Sequence, residues 1–203
     1  MIRMRYLVAA CCAAMLAACA SAPMHYYTLV PASDSVPTES AASPAPFQFE
    51  LLPVGIPAQN DVPQLVVRQG GQAVTLLNGE RWVAPLGDEV RGALSVDLTQ
   101  RTHAQDISGG VPANGKPVLR IKVDLRRFDS SPGNYAQIDA TWTVRELRSQ
   151  AAITCNSHVS ESVGQGYGDL VAGHQRALST LAERIASVAP AMAAGSVPAC
   201  PVP

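Results

Sequence analysis

An excess of basic charge is missing from this chain, which carries 15 Lys and Arg against 16 Asp and Glu in 203 residues. Nucleic-acid binding needs clustered surplus cations, so that class of function is excluded. The G-x-S-x-G pattern that exposes a nucleophilic serine at a strand-to-helix turn is also missing, and Ser108 in "ISGGV" has no such setting. His25, His103, His158 and His174 fall in different segments without the spacing of metal ligands, so no metal or cofactor is expected. "GQGYG" before Asp169 lacks the closing Gly-Lys of a phosphate loop and reads as a flexible connection. The one long apolar run, at the start, is shorter than the roughly 20 residues that span a bilayer. Enzymatic chemistry therefore has no foothold in the pattern.

What the start does contain is an export signal. "MIRMRYLVAACCAAMLAACAS" has a basic head with Arg3 and Arg5, an apolar stretch, and small residues around a cysteine. Leu16, Ala17 and Ala18 before Cys19 resemble the lipobox of bacterial lipoproteins, which implies removal of residues 1–18 and acylation of Cys19. Val8 to Cys11 also fits, but leaves almost no apolar segment ahead of the cut. Ala20, in place of the Asp that commonly retains such proteins at the inner membrane, points by analogy to the periplasmic face of the outer membrane. Several acyl chains make an anchor effectively permanent, where one holds only marginally. Loss of Arg3 and Arg5 leaves 13 basic against 16 acidic side chains. Cys11 and Cys12 leave as well, so Cys155 and Cys200 remain as an even pair in an oxidising compartment, either disulfide-bonded or both free.

The expected organisation is a signal (1–18), a lipidated N-terminus with a short strand at 24–31 and a Ser/Pro-rich loop (19–46), and one domain (47–203), with that strand part of the domain. "FQFELLPVGIP" opens the body as a strand, and "PQLVVR" and "QAVTLL" form a hairpin turning at Gly70 and Gly71. Val90, Leu94 and Leu98 place a narrow apolar stripe on a helix from Asp88 to about Thr102. Leu119, Ile121, Val123 and Leu125 alternate with charges, and Ala136, Ile138, Ala140, Trp142 and Val144 alternate with polar residues. Strict alternation marks strands with one dry and one wet face. "AAITCNSHVS" adds a third strand. From an N-cap at Asp169, Leu170, Val171, His174, Leu178, Leu181, Ile185 and Val188 trace one face of a last helix that Pro190 should end. The economical solution is an α+β fold: a mostly antiparallel sheet with two amphipathic helices packed on one face.

The order of these segments resembles the PqiC-type auxiliary lipoproteins of ABC transport. A lipobox is followed by "YYTL", "LPVGIPAQNDVPQLVVR", "RWVAPL" before a helix, a strand ending in "RRF", "YAQIDATWTV" and an amphipathic helix. The resemblance covers Cys19 to about Val188 and implies a non-enzymatic lipoprotein that docks an MCE-type phospholipid transport tunnel at the outer membrane. It implies partners in that membrane, an MCE-domain protein and phospholipid, with a homo-oligomer open. Pro57, Asp61, Pro63 and Gln64 keep the hallmark stretch, whereas Ala58 and Gln59 stand where an aromatic and a leucine are usual. With Trp82, which is either a surface anchor or a core aromatic, those four are the candidate partner-binding residues. A stand-alone lipid-binding lipoprotein and a pilot lipoprotein for an outer-membrane assembly are the alternatives.

Overall fold

The computed structural model describes residues 23–32, 43–113 and 115–202, and Cys19 with the signal lies outside them. Seven strands form two sheets, each with one parallel pair. The larger sheet has the order β2-β5-β6-β7, built from β2 (Gln48–Leu51), β5 (Val118–Ser131), β6 (Tyr135–Glu146) and β7 (Ala152–Ser162). The smaller has the order β1-β4-β3, from β1 (His25–Tyr27), β3 (Gln64–Arg68) and β4 (Val74–Trp82). Helix α1 spans Leu86–Thr102 and α2 spans Tyr167–Ala193.

Alternation decides which side of the meander is dry. All five apolar positions of β6 are buried, and Leu119, Ile121, Val123 and Leu125 of β5 turn the same way. At "LRRF" the period breaks: Leu125 pairs with Ala140 and Arg127 with Asp139, so Arg126 is an extra residue in a β-bulge. The bulge restores the inward phase for Phe128 and carries the strand on to Ser131, past the end expected from the sequence. Onto this dry side α2 lays Leu178, Leu181 and Ile185, each fully buried. Its second turn comes close to β6 at Gly173, where a Cβ would collide with Val163 and crowd Ala136.

Two helix boundaries differ from expectation. Asp169 is not the N-cap of α2: Gly166 takes that place, and the Asp169 carboxylate accepts the Gly166 N–H at 3.4 Å from one turn inside. Pro190 does not end α2, because it sits in the final turn, where one missing N–H costs a single hydrogen bond and the burial of Met192 outweighs it. The expectation of one sheet also gives way to two. The extra residues of β4 between Leu77 and Arg81 break the register with β3, yet Val67 of β3 still packs against Ala136 and Leu170, on the same dry side.

β1 belongs to the same core. Leu29 is fully buried, and the buried Glu89 of α1 accepts hydrogen bonds from the Thr28 hydroxyl at 2.7 Å and the Leu29 N–H at 2.8 Å. Gly92 permits this contact, since a Cβ there would lie 2.9 Å from the Val30 side chain. Ser108 is structural: its hydroxyl accepts the Leu51 N–H at 2.9 Å and bonds Asp106, fixing the loop after α1 to β2.

His174 is fully enclosed, stacked on Phe128 with ring centroids 3.8 Å apart and its Nε2 2.8 Å from the Ser130 hydroxyl. Burial pushes its imidazole down to about 3, so it is neutral in the folded protein. The unfolded chain takes up that proton near pH 6.5, so the stability contribution is complete above that pH and drains as pH falls toward 3, at about 1.4 kcal/mol per pH unit. Denaturant titrations at pH 7, 6 and 5 should show this slope, and His174→Gln should flatten it; an unchanged slope in the variant assigns the effect elsewhere. Ile138→Asp places an unpaired charge at a fully buried position and should cost about 4 kcal/mol or more, read as a lowered melting temperature.

Candidate functional site

The segment between β2 and β3 is shaped by its prolines. Pro57 precedes a single 3-10 turn, Ala58–Asn60, in which the Asn60 N–H reaches the Pro57 carbonyl at 2.8 Å. Asn60 is buried at the end of the turn, while Asp61 and Pro63 are exposed. The Pro63 carbonyl then accepts the Trp82 N–H at 2.9 Å, which joins this segment to the end of β4. Val83 donates its N–H to Tyr27 at 2.9 Å and leaves its side chain 62% exposed.

These links create an open hollow of about 340 Å³ between the Asp61–Pro63 segment and the connection from Trp82 to Leu86. Three of the five candidate partner-binding residues, Asp61, Pro63 and Trp82, line it together. Trp82 is only 6% exposed, so it is a core aromatic forming the floor, not a projecting anchor. Its ring meets Phe128 edge-on at 6.1 Å, and Phe128 stacks on His174. The hollow is thus backed by a rigid aromatic column that runs through to α2. Pro57 and Gln64 lie elsewhere: Pro57 starts the 3-10 turn, and Gln64 pairs with Arg81 inside the small sheet.

A second recess, of about 530 Å³, opens on the other side of the same turn, with Gln59 and Asn60 facing Arg68, Arg126, Asp129 and Tyr135. Arg68 grips Asp129 with Nε at 3.0 and 3.1 Å and Nη2 at 2.9 Å, which ties β3 to β5. Arg127 pairs with Asp139 at 3.2 Å, and His158 reaches the same carboxylate at 2.6 Å. Among the described residues Arg126 has no ion pair. Sequence reasoning missed this arginine group, although the doublet that interrupts the alternation of "VDLRRF" is its signal. Both hollows are open, and among the described residues no three His, Cys, Asp or Glu side chains are grouped to hold a metal.

At the other end, Cys200 of the C-terminal tail is bonded to the buried Cys155 of β7, with Cα atoms 5.7 Å apart. Near the start of the chain, burial and a 2.7 Å hydrogen bond to Glu80 push the Tyr27 phenol up to about 12, so it remains a donor.

The body is an α+β fold with an open, proline-edged hollow beside the buried Trp82. The chain belongs to the family of ABC-type transport auxiliary lipoprotein components, whose model matches residues 27–186. A crystal structure of an uncharacterized protein matches it with a TM-score of 0.64 at 16% identity, over 82% of this chain and 98% of the other. A crystal structure of a Xanthomonas campestris protein matches with a TM-score of 0.54 at 17% identity, over 84% and 96% of the two chains. At such identities these structures share the fold. No curated protein matches the chain.

The bonded pair yields a direct check. Thiol titration of the denatured, unreduced mature protein should find no reactive cysteine. Cys155→Ala should lower stability by about 2–4 kcal/mol, because the bond closes a loop of 45 residues in the unfolded chain. Two free thiols in the unreduced protein would contradict the pairing.

Proposed function

We propose that this protein is a non-enzymatic auxiliary subunit of an MCE-type intermembrane phospholipid transporter, held by acylated Cys19 at the periplasmic face of the outer membrane. In this reading residues 1–18 are removed, residues 47–203 with the 24–31 strand form the working body, and the partner is the periplasmic end of the MCE tunnel. The observation that carries it is the membership of an auxiliary transport lipoprotein family, combined with a lipobox only a few residues ahead of β1.

The hollow between Asp61, Pro63 and Val83 is the docking surface. Pro63 and Pro85 hold its rim without conformational entropy to lose, and the buried Trp82 keeps its floor fixed, so a partner segment meets a preorganised surface. Asp61 at the exposed rim supplies a charge that selects partners more than it binds them. Phospholipid passes beside the body, since the larger sheet buries its apolar face under α2 and its other face carries ion pairs such as Arg120 with Glu50 and Lys122 with Asp124.

The test is affinity purification of the full lipoprotein from solubilised envelopes. Recovery of an MCE-domain protein is the expected result, and the Asp61→Arg, Val83→Asp double variant should reduce that recovery at least tenfold while the melting temperature is unchanged. Lipid alone, or an outer-membrane pore in place of the MCE protein, would overturn the reading. Cys19→Ser should give a folded protein that no longer fractionates with the outer membrane; normal fractionation would remove the anchor.

A further inference from the structure

Four of the eight large apolar side chains exposed among the described residues fall on two adjacent strands, β1 with its leading residue and β4: Met24 at 41%, Tyr26 at 60%, Val74 at 49% and Leu76 at 45%. Alternation along β4 sends Thr75 and Leu77 inward and Val74 and Leu76 outward. Tyr26 pairs with Arg81, on the side opposite the half-buried Tyr27 and the buried Trp82, so it points outward as well. The outer face of the small sheet is therefore apolar around Tyr26 and Leu76, borders the arginine-lined recess at Val74, and carries Arg81, whose side chain makes no ion pair among the described residues and bonds the Asn78 carbonyl at 3.4 Å.

This face is also where the chain from Cys19 arrives. The Pro23 carbonyl lies 3.5 Å from the position a Cβ would take on Gly79, midway along β4. Only three residues stand between Cys19 and Pro23, a reach of about 14 Å when fully extended. The body is about 40 Å across for its length. Beyond Pro23 the tether has no slack, because β1 is paired with β4 and Thr28 and Leu29 are locked to Glu89.

We infer that the outer face of β1 and β4 is a membrane-seating surface, with Tyr26 and Leu76 in the headgroup layer of the bilayer that holds Cys19, and Arg81 against its phosphates. The inference rests on acylation of Cys19. Short apolar reach plus a cation suits an anionic lipid interface, where apolar side chains sit at the headgroup boundary and arginine meets phosphate. Seating fixes orientation as well as distance: it turns the small sheet to the membrane and presents the far side of the body to the periplasm.

The test uses the full lipoprotein with its acyl chains, carrying Tyr26→Cys, Leu76→Cys or, as a reference on α2, Glu183→Cys. Each is spin-labelled without reductant, so that Cys155 and Cys200 stay bonded, and reconstituted into vesicles of phosphatidylethanolamine and phosphatidylglycerol. Flotation of the vesicles and the mass of the N-terminal peptide report the anchor separately. Labels at 26 and 76 should lose access to a water-soluble nickel chelate several-fold relative to 183, and gain access to oxygen. Flotation with labels at 26 and 76 as accessible to the chelate as 183 overturns the seating and leaves the anchor standing. Spin–spin broadening between copies without a gain in oxygen access assigns the face to a second copy and also overturns it. Failure to float, with an unmodified Cys19, removes the anchor and the seating together.

Discussion

The structure depends on the contact between α2 and the dry face of the β5-β6-β7 meander. Trp142, Ile138 and Val144 from the sheet meet Leu178, Leu181 and Ile185 from the helix, all at 1% exposure or less. Each such side chain contributes about 1.5–3 kcal/mol when fully buried, so this layer supplies the largest favourable term in the fold. It also explains the tolerances seen around it. A proline in the last turn of α2 and a histidine with an unpartnered Nδ1 persist because the helix is held by packing along its whole length.

That contact makes the body two-sided. With the dry side spent on the helices, the sheets show water a face built from ion pairs such as Arg120 with Glu50 and Lys122 with Asp124. Exposed pairs of this kind stabilise little, so they are better understood as keeping the face soluble and patterned. Against this polar background the apolar outer face of β1 and β4 and the proline-edged hollow beside Trp82 stand out as the two surfaces with something left to cover.

The two surfaces are connected through β1 and β4. Tyr27 connects to Val83 at the hollow through a backbone hydrogen bond, and Glu80 gathers His25 and Tyr27 on the same strand that ends in Trp82. The N-terminal segment is thus joined to both β4 and α1 by hydrogen bonds. The chain belongs to a family of auxiliary transport lipoproteins, and under the proposed function this connection would set the position of the body relative to its anchor.

Much of this was legible in the chain itself. Period-two patterns in β5 and β6 and the period of three and four in α2 fix which residues are buried, because side-chain direction follows from local backbone geometry alone. The pair Cys155 and Cys200 could be counted in the sequence, and the fold brings the two together. What tertiary structure decided was everything that needs two distant segments at once. β1 pairs with β4 in parallel across more than fifty residues, a bulge at Arg126 turns an irregular "RRF" into a continued strand, and Asp61 and Pro63 share a hollow with a buried Trp82. Those outcomes depend on the packing of whole layers, where the burial of Met192 outweighs the stop signal of Pro190 and Glu89 waits for Thr28 and Leu29 from the far end of the chain. No window of neighbouring residues contains that information, because the energies that settle it arise only when the layers meet.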